Sequence, residues 1–140
     1  MATAPKLDAQ AATTDEYVLK AVFLFNFAQF VEWPSQTFSS PDAPIVIGVL
    51  GSDPFGPLLD ETVRGESVGG RPLTVQRFVR VEEAVDCHVL YISTSESRRL
   101  DEIVAHLRGR GILTVSDSER FMVHGVMIRL VTDRNRIRLR

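Results

Sequence analysis

The chain has a single cysteine, Cys87, a net charge of only −2 over 140 residues, and no lysine beyond Lys20. One cysteine excludes an internal disulfide and any cysteine-built metal site. So small a net charge leaves no basic field to recruit nucleic acid or an anionic membrane surface. The final R-N-R-I-R-L-R is locally basic, but its alternation reads as a strand with one solvated face. Residues 51–56 lack the G-x-G-x-x-G spacing, and no G-x-S-x-G nucleophile elbow occurs. The three histidines, His88, His106 and His124, have neither metal-ligand spacing nor a partner acid. No cofactor is predicted, and the motif search points away from an enzyme.

Long hydrophobic runs are also missing. A spanning helix needs about 20 predominantly apolar residues. The most apolar segment, K-A-V-F-L-F-N-F-A-Q-F-V-E-W-P (residues 20–34), is shorter and carries Asn26 and Gln29. Asp15 and Glu16 suit a helix N-terminus, and Pro34 cannot continue the helix. Its apolar arc is wider than a half-buried surface helix requires. Two readings stay open: a helix deep in a core, or one shared between a core and another chain. Phe23, Phe27 and Phe30 are the residues in dispute between them, with Trp33 and Pro34 at the corner beyond.

What is present is enough chain for a real core, with 44% hydrophobic and 24% charged residues. Residues 1–14 are Ala/Thr-rich without apolar periodicity and predict a disordered tail; residues 15–140 predict one domain. Ala9-Gln10-Ala11 has the A-x-A form of a signal-peptidase site, with no apolar stretch before it. Further on, I-V-I-G-V-L, C-H-V-L-Y-I and I-L-T-V-S-D are short apolar runs bounded by turn signals, which predict buried strands. L-T-V-Q-R-F-V alternates as a more exposed strand. Helical stretches fall at 58–63 and, from a capping box at Ser93 or Ser95 with Glu96, through Leu107; one turn is predicted at 118–123. Strands at 125–131 and 135–140 around T-D-R-N predict an antiparallel hairpin. Together these give an α/β domain: a largely parallel, doubly wound, Rossmann- or flavodoxin-like sheet with helices on both faces and a C-terminal hairpin.

Ligands of such sheets sit beyond the carboxyl ends of the strands. Those ends carry Ser52, Asp53 and Phe55, then Ser93 and Ser95, then Ser116 and Asp117. These are the candidate ligand loops, with helix capping as the simpler role of the serines. A phosphoacceptor site of receiver type would draw on Asp53, Asp117 and Glu119, but it needs a lysine opposite, and none follows Lys20.

The order of these pieces carries a resemblance. The K-A-V-F-L-F-N-F-A-Q-F-V-E-W-P helix, I-V-I-G-V-L-G-S-D-P-F-G, G-R-P-L-T-V, C-H-V-L-Y-I-S, G-I-L-T-V-S-D and F-M-V-H-G-V-M-I together resemble the YfiR-like family. The resemblance implies a periplasmic, non-enzymatic regulator that binds and represses YfiN, an inner-membrane diguanylate cyclase, lowering cyclic di-GMP and biofilm formation. It also implies a homodimer, for which Phe23, Phe27, Phe30, Trp33 and Pro34 are the candidate interface residues, the corner from Phe30 to Pro34 foremost. The alternative is a sensor that takes a small metabolite and works with a histidine kinase. Family members often carry a cysteine where this chain has Gly48, bridged to the one matching Cys87, so here Cys87 is expected to lack its partner. The family pattern continues past Arg140 into a further helix. On that reading the apolar alternation Val126, Ile128, Leu130 is left uncovered as a partner-binding strand.

Overall fold

The computed structural model describes residues 4–118, 121, 126–133 and 136–139. The run Ile45–Leu50 forms the central strand, β1, and its alternation divides the core. Ile45, Ile47 and Val49 point into one layer, and Leu50 into the other. Parallel neighbours flank it: β3 (Arg71–Phe78) on one side and β4 (Val89–Ile92) on the other. Next come β5 (Leu113–Ser116) and β6 (Ile128–Asp133), both parallel. Two antiparallel strands complete the edges, β2 (Ser67–Val68) against β3 and β7 (Arg136–Leu139) against β6. The full order is β2-β3-β1-β4-β5-β6-β7. The five parallel strands follow the flavodoxin-like 2-1-3-4-5 order, in which the strand order reverses between β1 and β4.

Helix α1 (Ala4–Phe30) and helix α2 (Pro57–Val63) cover one face. Ala21, Leu24 and Ala28 from α1 and Leu59 and Val63 from α2 meet Ile47, Val49, Val89 and Tyr91 there. Helix α3 (Leu100–Leu107) covers the other, placing Leu100, Ile103 and Leu107 against Leu50, Leu90 and Ile92. Phe78, Val81, Ala84, Cys87 and Phe121 join that second layer.

Several bounds differ from the sequence expectation. The first helix begins at Ala4 instead of opening at Asp15 and Glu16, so the expected tail is helical from there. Alanine-rich sequence without glycine has high helix propensity, and a helix already anchored downstream extends through it at little cost. The helix expected from Ser93 starts as a 3-10 turn, Thr94–Arg99, and becomes α-helical only at Leu100. Strand β2 was not anticipated. Gly69 and Gly70, with φ of 60° and 81°, make the two-residue turn that returns it onto β3, a turn needing positive φ at both positions. The final hairpin forms, but β6 runs through Asp133. The turn expected at 118–123 lies largely outside the described residues, as do His124 and Glu119; Phe121 is fully buried.

The uncovered partner strand is corrected. Leu130 is 0% exposed, Val126 is buried in the α3-side layer, and Ile128 packs half-buried on the other layer. Ile128 and Leu130, two residues apart on β6, share one face and meet the α1-side layer, whereas Val126 precedes the strand and turns into the other layer. The exposed apolar residue there is Met127.

Cys87 is a free, buried cysteine, as expected, and position 48 is not placed to bridge to it. Gly48 lies opposite Leu90, three residues beyond Cys87 along β4. At about 3.3 Å per residue, a side chain at 48 is roughly 10 Å along the sheet from Cys87, past the ~7 Å limit of a disulfide. A Cβ at 48 would also fall 2.7 Å from the Phe78 ring.

Candidate functional site

Helix α1 runs antiparallel to the parallel strands, so each end of it meets a different end of the sheet. Near the carboxyl ends, Asp117 follows β5 and receives three donors on one oxygen, Oδ2. Tyr17 Oη donates at 3.1 Å, Lys20 Nζ at 3.0 Å and Tyr91 Oη at 2.8 Å. Lys20 is only 3% exposed, and Glu16 lies 3.7 Å from its Nζ on the same helix face. Phe55 fills the space beside them, with edge-on contacts to Tyr17 at 5.4 Å and Tyr91 at 5.0 Å between ring centres. Burial, reinforced by the Asp117 charge, pushes the Tyr17 hydroxyl up to about 12 and raises Tyr91 further still. Both tyrosines therefore hold their protons and act as donors.

The two loops at the switch point touch directly. Ser52 N donates to Ser95 Oγ at 2.9 Å. Gly51, at φ 94°, brings its backbone so close that a Cβ would lie 2.5 Å from Ser95 Oγ. Asp53 accepts from Phe55 N at 2.8 Å and from Arg77 Nε at 2.8 Å. Arg77 also forks onto Asp60 through both terminal nitrogens and donates to the Gly56 carbonyl. Hydrogen bonding to Arg77 lowers the Asp60 carboxyl below its ordinary value. Ser93 Oγ accepts from Ser95 N, and Ser116 Oγ accepts from Ser118 N, both at 3.3 Å.

The candidate ligand-loop residues are thus gathered at one end of the sheet, with most of their polar groups turned toward each other. The serines cap and staple. Ser52 and Ser95 remain exposed; Phe55, Ser93 and Ser116 are buried. The crevice that carries ligands in flavodoxin-like sheets is closed on one flank by Gly51 against Ser95 and on the other by Phe55 under α1.

Sequence reasoning missed Tyr17, Lys20 and Tyr91. Lysine was sought after the first strand, whereas the one that meets Asp117 precedes the sheet. A signal was available: Lys20 projects on the opposite side of the helical wheel from Asn26 and Gln29, the side that must face the core.

At the amino ends of the strands the C-terminal part of α1 meets His88. Phe38 stacks on its ring at 4.6 Å, and Trp33, whose Nε1 donates to the Ala28 carbonyl at 3.1 Å, approaches edge-on at 5.5 Å. Val46 N donates to His88 Nδ1 at 3.0 Å, which places the ring proton on Nε2. Among the described residues that buried Nε2 has no hydrogen-bond partner; it faces the Thr37 backbone. Burial lowers the affinity of His88 for a second proton. An open hollow of about 380 Å³ lies here, lined in part by Thr37, Cys87, His88 and Arg110. Burial also pushes the Cys87 thiol up to about 12.

The outer face of α1 is apolar. Val18, Leu19, Val22 and Phe30 are exposed, Phe30 to 76%, and Pro34 is exposed beyond it. Phe23, Phe27 and Trp33 are half-buried against the core.

A comparison with protein families matches residues 17–140 to the YfiR/HmsC-like family. The chain belongs to the YfiR/HmsC-like family. The matched span runs from Tyr17, the first donor to Asp117, through every described strand of this YfiR/HmsC-like domain. A search of curated proteins gives no match. No described helix is long and apolar enough to cross a membrane.

Proposed function

We propose that this chain is a non-enzymatic periplasmic regulator that binds and represses a membrane-bound signalling enzyme, a diguanylate cyclase of the YfiN type, and does so as a homodimer. Membership of the YfiR/HmsC-like family over residues 17–140 carries the reading. Two features of the fold support it. The strand-end crevice is filled by the protein's own side chains, and the apolar outer face of α1 is the kind of surface that marks a protein contact. Toward the enzyme, the start of β6 offers Met127, 58% exposed, with Ile128 beside it; Val126 and Leu130 support that segment from the core.

The test is cyclic di-GMP in cells that carry the membrane cyclase, with the exported chain present or absent. The expected result is a lower level with the chain, lost in Met127→Asp and retained in Gln76→Ala, an exposed polar control. An unchanged level on adding the wild-type chain overturns the reading.

A second reading, a small-metabolite sensor working with a histidine kinase, is favoured by the hollow beside His88. Its buried Nε2–H would donate to a ligand carbonyl or carboxylate. A melting temperature that rises with one compound of a metabolite panel, and does not rise in Arg110→Ala, distinguishes it.

A further inference from the structure

The exposed side of α1 has a composition that says what covers it. Around the helix, Val18, Leu19, Val22, Phe23, Asn26, Gln29 and Phe30 occupy one arc centred on Asn26, opposite the buried Ala21, Leu24 and Ala28. Between Tyr17 and Val31 the one charged residue is Lys20, and it is buried on the sheet side. From Leu19 to Phe30 the stripe is roughly 16 Å long at 1.5 Å per residue and uncharged, with the half-buried amide of Asn26 at its middle and the exposed amide of Gln29 toward one edge. Asp15 lies on the same arc one turn before the stripe and is exposed.

We propose that two copies of the chain pair antiparallel through this face, about a two-fold axis beside Asn26. This rests on the homodimer of the proposed function and gives it an interface and a register. A two-fold contact uses the same patch on both subunits, so the patch must complement itself. An axis at Asn26 does this: Val22 and Phe30 each lie four residues from it, so the bulky ring of one copy meets the small side chain of the other. The two Asn26 amides face each other, each able to give and accept a hydrogen bond. Against a purely apolar partner that amide would be desolvated without one, which is costly. A polar residue at the centre of an apolar seam also sets register between paired helices.

Charge decides the direction. A parallel pair would place Asp15 of one copy against Asp15 of the other at the end of the seam, a like-charge contact. The antiparallel pair carries each Asp15 past the end of the partner's helix. It also sets the helix dipoles head to tail.

The experiment uses the full chain with cysteines placed one at a time at 22, 26 and 30, oxidised under mild conditions; Cys87 is buried and serves as the silent background. Asn26→Cys is expected to give a disulfide dimer. Val22→Cys mixed with Phe30→Cys is expected to give the mixed dimer in at least five-fold excess over either variant oxidised alone. Self-linking of Val22→Cys and Phe30→Cys would mean a parallel pair and overturns the register. Light scattering separates this from the underlying reading. A wild-type dimer that does not link at 26 overturns the α1 interface and leaves the homodimer standing. A wild-type monomer, including one that associates only with lipid vesicles, overturns both. Phe30→Glu is expected to be monomeric at a concentration ten-fold above that where wild type dimerises, with unchanged circular dichroism. The position is already in solvent, so the substitution does not threaten the fold. A folded dimeric Phe30→Glu also overturns the proposal.

Discussion

Lys20, in the first helix, donates to the carboxylate of Asp117 across 97 residues of chain, at 3.0 Å and out of solvent. The pair fixes α1 to the carboxyl end of β5 and, with Tyr17 and Tyr91, fills the place where a ligand of this fold would enter.

Breaking that pair from one side should be costly. Asp117→Ala leaves the Lys20 ammonium buried, with Glu16 at 3.7 Å as its remaining carboxylate among the described residues, and removal of one partner of a buried pair costs about 3–5 kcal/mol. Urea unfolding should show that loss. Lys20→Met with Asp117→Leu should lose less than the sum of the single changes, with a coupling of roughly 0.5–3 kcal/mol. Additive losses would mean the two groups do not interact.

The tyrosines predict behaviour in alkali. Tyr17 has its proton affinity raised in the fold from 10.0 to about 12, and Tyr91 shifts in the same direction. The unfolded chain therefore loses these protons first. Their contribution is complete below pH 10 and disappears as the pH rises from about 10 through about 12. Tyr17→Phe should flatten the fall of the melting temperature over that window. An unchanged slope counts against the assignment.

Acid should act through His88. Its proton affinity is lowered by burial in the fold from the ordinary 6.5. The stabilising effect is present above pH 6.5 and fades as pH falls through the lower folded value, because the unfolded chain takes up the proton first. Stability measured from pH 7.5 to 5 should drop less in His88→Phe than in wild type, if that variant folds. Titration of the ring by NMR gives an independent check: a midpoint at or above 6.5 refutes it.

Gly48 should resist any side chain. Gly48→Ala drives a methyl against Phe78 at 2.7 Å and Leu90 at 3.0 Å, and overpacking of this kind costs about 1–3 kcal/mol. Gly48→Cys should fail to bridge to Cys87 under oxidation. A 48–87 disulfide found by mass spectrometry would overturn the strand register.

Cys87 should be silent as a thiol. It is buried, and its proton affinity is pushed up to about 12, so at pH 8 almost none is thiolate. A thiol-specific chromogenic reagent should find no reactive group in the native chain and one after unfolding, and reductant should leave the melting temperature unchanged.

Much of the fold could be read from the sequence because its signals are local. I-V-I-G-V-L and C-H-V-L-Y-I are apolar on both faces and bounded by turns, which suits central parallel strands. Strand β2 was illegible because two residues, Ser67 and Val68, carry no period; only the Gly69-Gly70 turn marked it. The polar site was legible by halves. Position at strand ends pointed to Asp53, Phe55 and Asp117, but nothing local joins Asp117 to Lys20. That contact exists only once α1 is laid antiparallel along the sheet. The alternation at 126–130 misled because a period of two says only that Ile128 and Leu130 share a face, not whether that face is covered. That face packs on the α1-side layer, and Val126, before the strand, turns into the other.

The span between α1 and Asp117 has a consequence in time. Contacts of long sequence separation form late, since loop closure must come first. At the usual 5–20 residues per second of synthesis, the helix would wait roughly 5–20 s for β5 to follow it. During that interval Leu24 and Ala28 on one side and Val22 and Phe30 on the other are all without cover. A segment apolar around most of its girth, made well before the strand that latches it, is a natural substrate for a chaperone. Weakening the Lys20–Asp117 latch would then lower the yield of the protein before it altered anything the finished molecule does.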